Sequence, residues 1–282
     1  MICSIVWDVN PIIFELGSFQ LRYYGTFFVI GLILSYFIVK KIYKIENLPI
    51  KELDKLSMYV VVGGLIGARI GHCLFYEWSY YTVNFSNFIE ILLPIKFQPE
   101  IHFIGYQGLA SHGGALGVII ALFILKFYSE KKSFLWLIDR VVIPTGFAGA
   151  FIRLGNLFNS EIYGHQTDLP WGFIFKQNGD TFASHPTQIY EAICYVAISI
   201  LLLILYKNEK FRNSKGLFLG LFLTLVFSCR FFIEFLKNTQ VEFENSMYLN
   251  MGQILSIPLI LLGLGLILNS IIRLKSKKKI VN

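Results

Sequence analysis

Seven apolar stretches, each close to the length of a transmembrane helix, constrain this 282-residue chain more than any other feature. An α-helix needs about 20 residues to cross the hydrocarbon core of a bilayer. We place the seven spans at about 24–39, 56–75, 108–128, 134–158, 186–206, 216–236 and 252–272. The sequence therefore predicts an all-α polytopic membrane protein, organised as a single integral-membrane domain over residues 1–282.

The composition favours the same class, because 55% of the residues are hydrophobic and only 15% are charged. The four cysteines show neither C-x-x-C nor metal-ligand spacing, so we expect no disulfide framework and no metal site. No nucleotide-binding or redox motif is present either, and we expect no cofactor. The net charge of +7 does not by itself indicate a nucleic-acid partner.

The positions of the basic residues predict the orientation, since cytoplasmic loops of membrane proteins are enriched in Lys and Arg. They concentrate between spans one and two, three and four, and five and six, and in the tail 273–282. The alternate loops carry only Lys96, Lys176 and Lys237. We therefore predict an outer N-terminus and a basic cytoplasmic C-terminal tail, with no nucleic-acid binding.

Three segments are predicted to lie on the outer side. Residues 1–20 are too short and polar to span a bilayer, and aromatic residues such as Trp7 and Phe14 suit an interfacial arm. The connections 76–107 and 159–185 are long and rich in aromatic residues, which argues against disorder. We expect small structured elements at the membrane surface.

The stretch R-L-G-N-L-F-N-S-E-I-Y-G at residues 153–164 ends the fourth span. Arg153, Asn156 and Ser160 stand at i, i+3 and i+7 and share one helical face. A guanidinium at the end of an apolar segment is costly unless a carboxylate, a phosphate or a water-filled cavity faces it. The alternative is an arginine that merely extends to the membrane interface.

Polar side chains from the other spans fall at the same predicted depth, near the outer surface. Those with the strongest hydrogen-bonding or charged groups are Tyr24, Arg69, His112, His185, Gln188, Glu191, Arg230 and Glu234. Their convergence with Arg153 predicts a polar chamber that opens to the outer leaflet.

Each member also has a simpler explanation. Arg230 and Glu234, at i and i+4, can form an intrahelical ion pair. Arg69 can pair with Glu77 or with lipid head groups. His112 can be a packed histidine and Tyr24 an interfacial aromatic.

Seven motifs, in order along the chain, carry a resemblance to a known family. They are R-Y-Y-G (22–25), G-A-R-I-G-H (67–72), S-H-G-G (111–114), the stretch 153–164, H-P-T-Q-I-Y-E (185–191), R-F-F-I-E (230–234) and M-G-Q-I-L-S-I-P (251–258). The chain resembles the prolipoprotein diacylglyceryl transferases over essentially its whole length. It departs from them at Ile152, where many members carry glycine, and after Glu234, where F-L-K-N-T-Q lacks acidic and proline residues that many members have.

The resemblance implies a transferase of the bacterial cytoplasmic (inner) membrane with an active site toward the outer leaflet. Its partners would be phosphatidylglycerol, the lipobox segment of a preprolipoprotein and membrane lipids, with a monomer as the default state. The product would be a thioether on the lipobox cysteine, and glycerol phosphate would leave.

The resemblance also implies which residues function. It assigns the family's functional positions to Tyr24, His112, Arg153, Asn156, Glu161, Arg230 and Glu234. We expect the substrate-binding set to include Arg69, Arg153, Asn156, Asn159, Glu161, Gly164, His185, Gln188 and Glu191.

The chemistry of this reaction is displacement of a phosphate ester from a saturated carbon by sulfur. Arg153 and Arg230 suit the phosphate, because guanidinium matches its oxygens in bidentate geometry and stays charged. A free thiol has a pKa near ~8.5 and benefits from a base. His112 is the first candidate, and Glu191 and Glu234 either replace it or orient the arginines.

Two other classes stay open on sequence alone. A polytopic transporter of a small anionic or lipid substrate would use the polar chamber as its binding site, although such sites usually lie near the bilayer midplane. A seven-helix receptor would not need several arginines around one pocket.

Overall fold

A computed structural model of the chain describes residues 4–17, 19–91, 93, 95–97, 101–103, 108–128, 132–238 and 247–281. Its helices are α1 (Tyr23–Ile45), α2 (Ile50–Phe75), α3 (Trp78–Tyr81), α4 (Phe85–Ile89), α5 (Ser111–Tyr128), α6 (Phe134–Phe158), α7 (Thr187–Tyr206), α8 (Glu209–Arg212), α9 (Leu217–Ile233) and α10 (Met251–Val281). Its strands are β1 (Ile5–Trp7), β2 (Ile12–Leu16), β3 (Phe19–Arg22), β4 (Ile95–Lys96), β5 (His102–Phe103) and β6 (Phe173–Phe175). Short 3-10 turns cover Lys176–Asn178 and Glu234–Leu236.

Among the described residues, seven helices are long and apolar enough to cross a membrane, which confirms the predicted all-α, seven-span class. The bounds differ where charge or backbone conformation intervenes. Helix α2 begins at Ile50 and α10 continues to Val281, because charged turns that lower hydropathy still form helix. The third span was predicted from Gly108, but that residue has φ +69° and α5 begins at Ser111.

The contacts of the chain divide it into two compact units, residues 1–39 with 139–282, and residues 40–138. The organisation of the whole chain as a single domain stays a prediction.

In the unit 40–138, helices α2 and α5 approach closely through glycine. A Cβ on Gly67 would collide with the Gly113 carbonyl oxygen, and one on Gly117 would collide with that of Gly63. Small residues of this kind let helix backbones pack directly in an apolar environment. The connection that follows α2 contains α3, α4 and the antiparallel pair β4–β5, in which Ile95 lies opposite Phe103.

In the unit formed by residues 1–39 and 139–282, the N-terminal strands anchor the connection between α6 and α7. Strand β1 pairs in parallel with β6, so that Trp7 lies opposite Phe175. The Trp7 indole donates to the Leu157 carbonyl at 3.1 Å, and its ring meets Phe158 edge-on at 5.2 Å. Phe175 is fully buried in this cluster. The segment after α6 is therefore held against the end of that helix.

The buried carboxylate of Asp139, on α6, caps the N-terminus of α9. Its Oδ2 accepts from the Gly216 amide at 2.7 Å, and its Oδ1 accepts from the Leu219 amide at 2.9 Å. The first amides of a helix have no partner within the helix, and the helix dipole favours negative charge there. Asp139 thus fixes α9 relative to α6 at the end away from Arg153 and Arg230.

Candidate active site

The turn that ends α6 folds Glu161 back onto the helix. Ser160 has φ +53°, the Glu161 amide donates to the Asn156 carbonyl at 3.0 Å, and the Ser160 amide donates to the Leu157 carbonyl at 3.0 Å. These bonds form a Schellman motif, which usually has glycine at the left-handed position. As a result, Oε1 of Glu161 accepts hydrogen bonds from two side-chain amides, that of Asn156 at 2.7 Å and that of Asn159 at 3.2 Å.

Arg153 has a buried carboxylate as its partner. Its Nε lies 2.8 Å from Oε2 of Glu191 on α7, and its Nη1 donates to Oδ1 of Asn156 at 3.3 Å. The Glu191 side chain is 0% exposed and that of Arg153 is 15% exposed. Two ions withdrawn from water to this degree require close pairing. The shared helical face of Arg153 and Asn156 is confirmed, and the guanidinium is held from two sides.

The pairing continues through a second carboxylate to the second arginine. Lys237 Nζ lies 3.0 Å from Oε1 of Glu191 and 3.4 Å from Oε2 of Glu234. Arg230 Nε lies 3.9 Å from the same Oε2 of Glu234. We call the alternating series Arg153–Glu191–Lys237–Glu234–Arg230 the ion-pair chain. It joins α6, α7 and the end of α9, and its three cations and two carboxylates sum to +1.

The start of α10 covers the Glu234 carboxylate. A Cβ on Gly252 would lie 2.6 Å from the carboxylate carbon, so no larger residue fits without displacing Glu234. The Asn250 side-chain amide donates to the Glu234 carbonyl at 3.4 Å. The close approach of this backbone fixes the carboxylate that lies between Lys237 and Arg230.

The connection after α6 is fastened to the start of α7 and to the turn 234–236. The Gln188 side chain donates to the Glu161 carbonyl at 2.7 Å, and the Gly164 amide donates to the His185 carbonyl at 2.9 Å. A Cβ on Gly164 would collide with the Leu236 carbonyl oxygen. Gly164 is therefore required for close backbone approach, and Gln188 is a buried anchor for the loop that carries Glu161.

Tyr24, in the first turn of α1, packs over the backbone of α6. A Cβ on Gly155 would lie 2.8 Å from Cδ2 of its ring. Gly155 stands between Arg153 and Asn156 in sequence, so this contact places the phenol ring next to the turn of α6 that carries the site.

His185 lies just before α7, outside the membrane-spanning segments. Burial lowers the pKa of its imidazole, and the neighbouring His165 lowers it further. Its Nδ1 is 3.3 Å from the Tyr190 hydroxyl, which also accepts from the Trp171 indole at 2.9 Å. His185 thus takes part in hydrogen bonding, in surroundings that disfavour its protonated form.

Two predicted site residues, Arg69 and His112, belong to the unit 40–138. The guanidinium of Arg69 donates to the Tyr81 hydroxyl at 2.9 Å and to the carbonyls of Glu90 at 3.1 Å and Ile91 at 3.3 Å. With only 4% of its surface exposed, Arg69 anchors the segment that follows α2.

Nε2 of His72 lies 3.5 Å from Oε2 of Glu77, the acidic residue proposed above as one partner of Arg69. His112 lies in the first turn of α5 and is exposed. Its role as base, and the convergence of Arg69 and His112 with the ion-pair chain, stay predictions.

Lys237 is the residue that sequence reasoning missed. It was counted among the few basic residues of the outer loops, yet it is 3% exposed and contacts both carboxylates of the ion-pair chain. Its spacing from Glu234, i and i+3, was the available signal. Tyr195 was also missed, and its hydroxyl donates to Oε1 of Glu191 at 3.4 Å. Among the residues described, no group of three or more His, Cys, Asp or Glu side chains has the geometry of a metal site.

Known proteins resemble this chain over nearly its whole length. The family profile described as prolipoprotein diacylglyceryl transferase matches residues 11–269. A relative from Bacteroides fragilis, named phosphatidylglycerol–prolipoprotein diacylglyceryl transferase, is 45% identical over 266 residues, which cover 94% of each chain. Relatives of the same name from Porphyromonas gingivalis and Tolumonas auensis are 43% and 42% identical, and cover 95% and 94% of this chain and 95% and 97% of their own lengths. The chain belongs to the prolipoprotein diacylglyceryl transferase family.

Proposed function

We propose that this protein transfers the diacylglyceryl group of phosphatidylglycerol to the lipobox cysteine thiol of a preprolipoprotein and releases glycerol phosphate. The observation that carries the proposal is the ion-pair chain in a member of this family. Its two ends are arginines whose orientation is set by buried carboxylates. Such guanidinium groups match the oxygens of a phosphodiester.

The reaction follows from these groups. The sulfur attacks the glyceryl carbon that carries the phosphate oxygen, so a carbon–sulfur bond forms as the carbon–oxygen bond breaks. The electron pair of that bond stays on the phosphate oxygen, and negative charge on the leaving glycerol phosphate grows. Arg153 and Arg230 stabilise this charge in a site of low dielectric constant, where fixed positive groups act most strongly.

The thiol proton leaves to a base, for which His112 is the first candidate. Glu191 and Glu234 were the alternatives. Oε1 of Glu191 lies 3.0 Å from Lys237 and its Oε2 lies 2.8 Å from Arg153, so each oxygen already faces a cation. Oε2 of Glu234 contacts both Lys237 and Arg230. These contacts favour the other role for both carboxylates, that of orienting the cations.

The proposed location is the bacterial cytoplasmic membrane, with the site toward the outer leaflet. The distribution of Lys and Arg among the loops supports this orientation. The ion-pair chain lies where α6 ends, α7 begins and α9 ends, which is the outer end of these spans in the predicted topology. A lipid head group reaches this depth without leaving its leaflet.

The test uses purified protein in micelles that contain phosphatidylglycerol, together with a lipobox peptide. We expect the peptide to gain the mass of one diacylglyceryl group and glycerol phosphate to appear in equal amount. A peptide with serine in place of the lipobox cysteine is the control and should stay unmodified. An unmodified cysteine peptide contradicts the proposal, and accumulation of an anionic solute in vesicles would favour the transporter.

A further inference from the structure

Lys237 occupies the centre of the ion-pair chain, and no step of the proposed reaction uses it directly. We propose that Lys237 is a positioning residue for the transfer reaction, which occupies both carboxylates so that Arg153 and Arg230 present their guanidinium groups to the lipid phosphate. This inference rests on the proposed function and extends it to a residue that does not itself touch the reacting atoms.

The backbone around Lys237 is fixed on two sides. The 3-10 turn Glu234–Leu236 precedes it, and its amide donates to the Glu234 carbonyl at 3.2 Å. It forms an isolated antiparallel bridge with Gly164, and the next residue, Asn238, donates to the Gly164 carbonyl at 3.0 Å. These contacts fix the backbone of Lys237 against Gly164, in the connection between α6 and α7, and so orient its ammonium group toward the two carboxylates.

The two carboxylates come from different elements and meet at this ammonium group. Glu191 is on α7 and is fully buried, and Glu234 follows α9 and is 7% exposed. Two carboxylates that face one site with little water repel each other unless a cation lies between them. Lys237 supplies that cation at 3.0 Å and 3.4 Å.

The long distance between Arg230 and Glu234 indicates how Lys237 affects Arg230. Arg230 lies 3.9 Å from Glu234, whereas Lys237 lies 3.4 Å from the same oxygen. Without the ammonium group, the unneutralised Glu234 would draw Arg230 into a closer pair and away from the phosphate. Lys237 therefore keeps Arg230, whose side chain is 25% exposed, available to the substrate.

The charge of the ion-pair chain leads to the same conclusion. With Lys237 the ion-pair chain sums to +1, which matches the single negative charge of a phosphodiester. Without Lys237 the ion-pair chain sums to zero, and it no longer balances the negative charge of the bound phosphodiester. Negative charge grows further as the phosphate departs, so both lipid binding and the transfer step would weaken.

The experiment measures kcat and KM separately for phosphatidylglycerol and for the lipobox peptide in mixed micelles. We expect Lys237→Met to lower kcat/KM for the lipid by about 10- to 100-fold, through a higher lipid KM and a lower kcat. The KM for the peptide should stay unchanged. Lys237→Arg, which keeps the charge, should recover to within about tenfold of the parental value. Lys176→Met, at an exposed lysine outside the network, is the matched control and should behave like the parental protein.

A purely structural lysine would give a different pattern. Loss of stability alone lowers the thermal unfolding temperature and the amount of active protein, and leaves the lipid KM unchanged; that result overturns the inference. Parental kinetics for Lys237→Met overturn it too. Lys237→Gln keeps hydrogen-bonding capacity without the charge, and it replaces Lys237→Met in this test if the methionine variant does not insert. If the parental protein fails to modify the peptide, the proposed function fails, whereas activity that is insensitive to Lys237 removes only this inference.

Discussion

The substitution Arg153→Lys tests whether the geometry of the guanidinium, beyond its charge, is needed. Arg153 uses Nε for Glu191 at 2.8 Å and Nη1 for Asn156 at 3.3 Å. A lysine ammonium is a single point of contact on a flexible stem and cannot hold both partners and a phosphate in one plane. We expect it to keep the ion pair with the buried Glu191, because leaving Oε2 of that carboxylate without a cation is the costlier alternative.

The expected magnitude follows from the contacts that are lost. Lysine would forfeit the bond to Asn156 and one of two phosphate contacts. A hydrogen bond to a charged group contributes about 1.5–3 kcal/mol, so the loss is about 3–6 kcal/mol and the rate falls by about 10²- to 10⁴-fold. Because the positive charge remains, the variant should still insert and pair with Glu191.

The assay is diacylglyceryl transfer to a lipobox peptide, with thermal unfolding in the same micelles as a check on folding. Arg273→Lys, at an exposed position of α10, is the matched control and should keep parental activity. If Arg153→Lys transfers within about threefold of the parental rate, bidentate recognition of the phosphate at this position is refuted.

Three further predictions concern other parts of the chain. His112→Gln should lower the transfer rate by about 10²- to 10⁴-fold at neutral pH if His112 accepts the thiol proton, and near-parental activity would remove it as the base. Asp139→Asn replaces a carboxylate oxygen that accepts from the Gly216 or Leu219 amide with a donor; we expect about 1–3 kcal/mol lower stability, seen as a lower unfolding temperature, with the specific activity of the folded protein unchanged. Because burial lowers the pKa of His185, the folded protein binds fewer protons there than the unfolded chain, so its stability should fall as the pH drops below about 6.5. His185→Gln should flatten the dependence of the unfolding temperature on pH in that range, and an unchanged profile would contradict this assignment.

The spans were predictable because a bilayer sets one length and one polarity for every crossing. Helix ends were less predictable, since they depend on charged turns and local backbone conformation. Helix α2 begins six residues before the predicted Leu56 because its first turns carry lysine and glutamate, which hydropathy excludes and helix geometry accepts. The third span begins later than the predicted Gly108 for a different reason: that residue has φ +69° and a Cβ there would collide with the His72 imidazole, a contact that no local pattern reveals.

The site was predictable where its members repeat on one helix. The spacing of Arg153 and Asn156 gave their shared face, and that of Arg230 and Glu234 gave their ion pair. Lys237 was missed because hydropathy assigns it to a loop, and its burial arises only from the 3-10 turn that follows α9.

The ionic partners of Arg153 and Arg69 could not be predicted from the sequence, because they too depend on the tertiary fold. Glu191 was an open alternative for the base, and only the contacts across α6 and α7 give it to Arg153. Arg69 likewise had Glu77 as its sequence neighbour, but the turn after α2 directs its guanidinium to Tyr81 and to backbone carbonyls. Which charges meet is decided by the tertiary fold, because the partners of Arg153 and Arg69 lie on other elements of the chain.

The most direct test of the account labels the oxygen that bridges the diacylglyceryl carbon and the phosphorus of phosphatidylglycerol with ¹⁸O. If the arginines hold a departing phosphate while sulfur attacks carbon, the released glycerol phosphate carries the label and the lipidated peptide carries none. Label that stays with the diacylglyceryl group, in the peptide or in free diacylglycerol, would show cleavage at phosphorus and contradict the account.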